Sequence, residues 1–240
     1  MGADPYAASA GSARTDMSGT SGVATSERLL AAAEALFSER GFAATSMRAV
    51  TQAAGVSVSA ANYHFGSKLE LLRAVCERQL GPINEERMRS LDELDARCAP
   101  AAPDVEAILH AFLRPAVLPT GVRSEDLREV ASRLYADPPE VVAELKQKLF
   151  GPVMQRTIES LVRALPESSA ESVRLAFQMS VGTMVHVVAG HLDTTVGLSS
   201  PYPRDEKLLD FMVAYCSGGF RASLAVASRL DTPAPPGGTP

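Results

Sequence analysis

A chain of 240 residues has room for one large domain or two small ones. Its composition, 46% apolar and 21% charged with no Trp and 5% aromatic residues, is that of a globular chain rich in helix formers. The net charge of −5 excludes a nonspecific polyanion binder, so any contact with nucleic acid must come from a few placed cations.

Cys76, Cys98 and Cys216 are widely spaced with no C-x-x-C pair, which supports neither a zinc site nor a disulfide framework. A reducing, cytoplasmic setting is expected. The N-terminus carries no apolar stretch of signal-peptide length, and no run approaches the roughly 18 apolar residues of a membrane span.

In chain order, residues 1–23 are mostly Gly, Ala, Ser and Thr and are expected to form a disordered arm. A first helix over 26–40 follows from Leu29, Leu30, Ala33, Leu36 and Phe37 at helical spacing, with Gly41 as its stop. Thr45 or Ser46 caps a second helix that ends at Gly55. Ser57 opens a third, closed by Gly66, and Ser67-Lys68-Leu69-Glu70 reads as the capping box of a fourth. Gly81-Pro82 is expected to kink or end that fourth helix, and helical character resumes to about 97. Further helices are expected over 104–118, 124–136, 139–165 (interrupted at Gly151-Pro152), 169–192 (capping box Ser168 to Glu171) and 205–229. A disordered tail covers 231–240. No strand and no internal repeat is evident.

Two short helices around Gly55-Val56 make a helix-turn-helix. Val50, Ala54, Val56, Ala61 and Phe65 would form its small core, leaving Ser57, Val58, Ser59, Asn62 and Tyr63 to face outward from a helix that fits a major groove about 12 Å wide. From 24 to 75 the basic residues Arg28, Arg40, Arg48, Lys68 and Arg73 nearly balance Glu27, Glu34, Glu39 and Glu70, so this is no charged stripe.

The pattern T-S-M-R-A-V…A-G-V-S…Y-H-F-G-S-K, preceded by an amphipathic helix ending E-R-G-F, resembles the DNA-binding domain of the TetR/AcrR family of bacterial regulators over about 26–75. The stretches NYHFGSKLELL and LGPINEER further resemble the PsrA-like, fatty-acid-responsive subgroup. The resemblance implies that Arg48 touches a phosphate or base edge and that Val58, Ser59, Ala60 and Asn62 face the groove. It also implies that Tyr63 or His64 reaches backbone phosphate and that Lys68 neutralises phosphate. Many members have Leu-Tyr where this chain has Ala61-Asn62. Asn62 offers a bidentate partner for adenine.

The resemblance also implies that the chain beyond residue 70 binds a small molecule and dimerises. On 169–192, Val173, Phe177, Val181, Met184, Val185 and Val188 make a broad apolar face, and Gly182 and Gly190 would permit close helix approach. The last helix carries Phe211, Met212, Tyr215 and Phe220 around Gly218-Gly219. These faces serve either a two-helices-per-protomer interface or the core of one protomer. Candidate ligand contacts are His110, Phe112, Arg114, Tyr135, Phe150, Met154, Phe177 and Met184; the PsrA-like resemblance implies an acyl chain, and Met-rich lining would suit a flexible apolar ligand.

The expected fold is all-α: a three-helix DNA-binding domain with its helix-turn-helix over 24–70, and a helical effector-binding and dimerisation domain over 71–230. The expected function is a ligand-responsive DNA-binding transcriptional regulator. In its simplest form it is a homodimeric repressor of a palindromic operator, released by a small apolar effector. Its partners would be double-stranded DNA, a second copy of the chain and that effector, with no membrane, metal or cofactor. The alternatives are a ligand-independent or activating regulator and, from another class, an enzyme or a helical protein-interaction module. No G-x-x-x-x-G-K-[ST], H-E-x-x-H or G-x-S-x-G occurs, and the four histidines lack metal-ligand spacing, so an enzyme is not expected.

Overall fold

The structure, a computed structural model, describes residues 17–120, 139–192, 196–198 and 202–230, with side chains described from 22–120, 143–192, 196–198 and 202–227. Among these residues the protein is all helical, with eight helices and no strand. They are α1 (Met17–Ala44), α2 (Met47–Ala54), α3 (Val58–Phe65), α4 (Lys68–Cys98), α5 (Val105–Val117), α6 (Pro139–Ala164), α7 (Ala170–Val188) and α8 (Glu206–Leu230). The chain divides into two compact units between Leu72 and Arg73, inside α4 and just past the expected boundary at 70/71. The helix expected over 124–136, with Tyr135, and the tail 231–240 lie outside the described residues.

In the first unit α1 packs on α2 and α3 through Leu29, Ala33, Leu36 and Phe37, all buried. The helix begins at Met17, earlier than expected, so 17–23 of the anticipated disordered arm is helical. Once a packed helix exists, each added residue costs only propagation, and Ala, Ser and Thr allow that. Gly41 (φ 84°, ψ 162°) breaks the helical path, after which a last turn runs to Ala44. The carbonyls freed at this break are taken up locally. The buried Thr45 hydroxyl donates to Leu36 O (3.1 Å) and Gly41 O (2.8 Å). The Lys68 ammonium donates to Phe42 O and Thr45 O, both at 2.9 Å, and lies 4.2 Å from the Phe42 ring centroid.

In the second unit α5 is the central rod. Ile108, Leu109, Phe112, Leu113 and Ala116 are all buried against α6, α7 and α8. Asp104 caps its start, accepting from Ala107 N at 2.7 Å, and Arg204 donates to the Ala116 and Val117 carbonyls at its end. Phe112 and Phe177 meet edge to face, centroids 4.9 Å apart. An ion cluster joins α4 to α6: Arg156 bonds Asp92 (2.9 Å) and Asp95 (2.7 Å), and Arg163 bonds Asp95 (2.6 Å). Burial would raise the Asp95 pKa, but hydrogen bonds from Arg163 and Arg156 outweigh it and hold the carboxyl below its ordinary value.

Two expected breaks are absent. α4 runs through Pro82 and α6 through Pro152, each without interruption. Pro82 and Arg78 are both exposed, so water can serve the carbonyl that the ring deprives of a donor. In the turn before Pro152, Asn84 of α4 donates to Leu149 O at 2.8 Å. α5 likewise passes through Pro115. Ser169, not Ser168, caps α7, its Oγ accepting from Ser172 N at 3.1 Å. Gly190 lies past the end of α7 at φ 78°, and His191 N donates back to His186 O (3.0 Å), so it serves the turn that closes the helix.

Candidate DNA interface and effector cavity

The reading head is built from caps and turns. Ser46 Oγ accepts from Ala49 N at 3.1 Å and starts α2. Gly55, at φ 64° and ψ 39°, ends it in the left-handed region that a side chain rarely adopts. Val56 N then donates to Thr51 O at 3.0 Å, closing the turn. Ser57 Oγ accepts from Ala60 N at 3.1 Å and starts α3. Val50, Ala54 and Ala61 are fully packed between the two helices, whereas Val56 and Phe65 are only half-buried.

Val58, Ser59, Asn62 and Tyr63 are exposed on α3 at the spacing of one helical face, with Tyr63 at 87%. Arg48 is exposed on α2, and Gln52, one turn on, shares its side. The helical period around Arg48 could have nominated Gln52, which sequence reasoning passed over. Ala60 is half-buried. The Ser57 oxygen is engaged as a cap, and its O–H hydrogen can still donate. His64 is half-buried between the rings of Tyr63 (5.4 Å) and Phe65 (6.3 Å). Lys68, expected to neutralise phosphate, spends two of its three donors on the carbonyls of Phe42 and Thr45. It clamps the head together.

The second unit holds a cavity of about 580 Å³ between α4, α5, α6 and α7. Of the expected ligand contacts, Phe112, Phe150, Met154 and Met184 line it. Phe177 supports Phe112 from behind. Arg114 points to solvent, paired with Glu206 at 3.0 Å, and His110 is half-buried away from the lining. Arg87, Lys146, Gln147, Arg174 and Gln178 line the cavity and were not anticipated. Arg87 sits on a charged stretch of α4 that reads as a solvated face, and only its tertiary setting reveals a buried side chain.

The broad apolar face expected of α7 turns inward: Val173, Phe177, Val181, Met184 and Val188 are all buried, and Val185 is half-buried at the cavity. A different stripe is exposed. Leu175 and Met179 are each 60% exposed on α7, and Phe211 (70%) and Tyr215 (63%) on α8. Gly182, Gly218 and Gly219 are exposed too, and a Cβ at any of them would meet nothing within 4 Å. Cys76, Cys98 and Cys216 are not disulfide-bonded, and burial raises the Cys216 pKa against an opposing hydrogen bond from Ser180. Among the described residues no cluster of His, Cys, Asp and Glu could hold a metal ion, and no helix is long and apolar enough to cross a membrane.

Comparison with solved structures finds the same architecture. SmeT, solved as a triclosan complex, superposes with a TM-score of 0.56 at 25% identity, covering 85% of this chain and 91% of SmeT. The fatty acid degradation regulator FadR of Bacillus halodurans gives 0.54 at 19% identity, covering 82% and 96%. GusR of Salmonella enterica gives 0.50 at 20% identity, covering 82% and 95%. No curated protein sequence matches the chain. Residues 29–75 match the model of bacterial regulatory proteins of the tetR family, and residues 110–219 match that of the tetracyclin repressor-like C-terminal domain. Together these cover both units, and the chain belongs to the tetR family of bacterial transcriptional regulators, which are DNA-binding proteins and not enzymes.

Proposed function

We propose that the chain acts in the cytoplasm as a homodimeric repressor that holds a palindromic operator and is released by a small apolar effector. The exposed face of α3 carries this reading: Val58, Ser59, Asn62 and Tyr63 project from a rigid, double-capped two-helix base and make no contribution to its core. Asn62 reads a base edge. Arg48, Tyr63, His64 and the Ser57 hydroxyl hold phosphates or the groove wall, with Ala60 at its margin.

The exposed stripes of α7 and α8 support a dimer, because apolar area of that kind on a lone protomer stays wet and a second copy would bury it. Gly182, Gly218 and Gly219 would then admit a partner's side chains. Two linked heads gain affinity by reading both halves of an operator at once.

The cavity supports the effector. Its volume lies in the range of about 300–1,000 Å³ that small-molecule sites occupy. Met154, Met184, Phe150 and Ile158 give it the adaptable apolar lining that an acyl chain or another flexible apolar body needs. The resemblance to SmeT, solved with triclosan bound, favours an apolar ligand as well. The ligand can release DNA only by its differential affinity for the two states of the dimer. Bound genomic fragments selected by the purified protein should share an inverted repeat, and the protein should sediment as a dimer. A lone protomer at micromolar concentration, or no retention of any duplex at low salt, would defeat the proposal.

A further inference from the structure

The eight residues of α3, VSAANYHF, include no Arg, Lys, Asp or Glu. Proteins most often read guanine with a bidentate Arg or Lys on its O6 and N7, and they read cytosine with an Asp or Glu that accepts from its N4 amino group. α3 has neither tool. The cations that flank it in the chain are Arg48 on α2 and Lys68 at the start of α4, and Lys68 commits two donors to Phe42 O and Thr45 O. The side chains that α3 does expose are of the two kinds that match adenine and thymine.

Val58, the first residue of α3, is 45% exposed although it is apolar. Its direction is fixed from both sides. Ser57 Oγ accepts from Ala60 N and Ser57 O accepts from Ala61 N, each at 3.1 Å, so the first turn is set, and a β-branched side chain has little freedom at χ1. The one apolar group on a base edge in the major groove is the C5-methyl of thymine. Asn62 stands four residues on, on the same face and exposed. Among the described residues its carboxamide holds no hydrogen bond, which leaves an acceptor and two donors for the N6 and N7 of adenine. Four residues of helix rise about 6 Å and base pairs stack about 3.4 Å apart, so the two side chains meet pairs about two steps apart. Ser59, exposed beside Val58, can donate or accept and tolerates any base.

We infer that α3 is an A·T reader: Val58 packs on the C5-methyl of a thymine, and Asn62 holds an adenine about two base pairs away. This rests on α3 being the helix that enters the groove, as proposed above, and it names the bases that helix selects. It requires neither a dimer nor repression.

The test starts from randomised duplex DNA, from which the purified full chain selects what it retains at low salt. The selected half-site should hold a thymine and an adenine about two base pairs apart. Each thymine of that half-site is then replaced in turn by deoxyuridine, which keeps the base pair and removes the C5-methyl. One such position should weaken binding about fourfold per half-site, the effect of one buried methyl. Val58→Ser, at an exposed position outside the packed core, should remove most of that penalty. Replacing the adenines in turn by 7-deazaadenine, which lacks the N7 acceptor, should cost the parent at least about fivefold at one position. Asn62→Ala should lose that sensitivity and keep the deoxyuridine penalty. A deoxyuridine penalty of equal size in parent and Val58→Ser would report DNA shape and overturn the inference. So would no penalty at any thymine, or G·C pairs at the positions that the two substitutions alter. A selected single half-site with no inverted repeat sinks the homodimer reading and leaves the inference standing. An inverted repeat indifferent to both base analogues does the reverse, and a chain that retains no duplex sinks both.

Discussion

Replacing Lys68 by Met separates two roles that this residue can play. The substitution keeps the aliphatic stem over Phe42 and removes the ammonium, which donates to Phe42 O and Thr45 O at 2.9 Å each and sits 4.2 Å from the Phe42 ring centroid. A hydrogen bond to a charged group contributes about 1.5–3 kcal/mol, and the cation–π contact adds about 0.5–1 kcal/mol at a partly exposed site. The two bonds share one half-buried ammonium and do not add in full. The net loss should be about 2 kcal/mol in the stability of α1–α3. Native-state amide hydrogen exchange reads this directly, as a fall of that size in the opening free energy of α2 and α3 amides. The slope of log affinity for operator DNA against log salt should stay as it is. If exchange is unchanged while that slope drops by about 0.9, the loss of one phosphate contact, Lys68 is a DNA ligand and the clamp is incidental.

Other substitutions report on the remaining parts. Asn62→Ala should relax preference at one base position by about 1–3 kcal/mol, measured as a changed binding logo with an unchanged salt slope. Phe211→Glu should shift sedimentation toward protomer, because a twofold interface counts each lost apolar side chain twice, at about 1.5–3 kcal/mol apiece. A dimer that tolerates Phe211→Glu and Leu175→Glu together would exclude this face. Asp95→Asn should destabilise the second unit by roughly 1–2 kcal/mol at neutral pH. The folded Asp95 pKa is depressed, so its contribution is full above the unfolded value near 3.9 and fades as pH falls through the folded one. The difference between mutant and parent in urea unfolding should therefore shrink below about pH 4. Pro82→Ala lies on an exposed, unbroken stretch of α4 and should change the ligand concentration needed for DNA release more than it changes ligand-free DNA affinity. Equal loss of both would argue against coupling through this turn.

Local chemistry was legible wherever a residue acts through its own backbone neighbourhood. Gly55 and Gly66 mark helix ends because only positive φ serves there, and Ser57 and Ser67 mark starts because a short hydroxyl side chain reaches an amide three residues on. The same local logic failed at Pro82 and Pro152, where the surroundings decide whether a carbonyl without its helical donor can be served. Asn84 of α4 meets Leu149 O in the turn before Pro152 from 65 residues away, and no window of sequence contains that contact.

Helical periodicity and caps determine by themselves that this chain is all-α, that Thr45–Leu72 holds a helix-turn-helix, and which side of α3 is free of the core. Those are properties of contiguous segments. Which apolar stripe of α7 faces inward, which cation lines the cavity and which closes the head are set by partners distant in sequence. Arg87 and Lys68 are both basic residues on α4, yet one is buried against Phe112 and Met184 while the other is clamped to the end of α1. Only packing of several helices can assign such roles, because a side chain's charge is local and its environment is not.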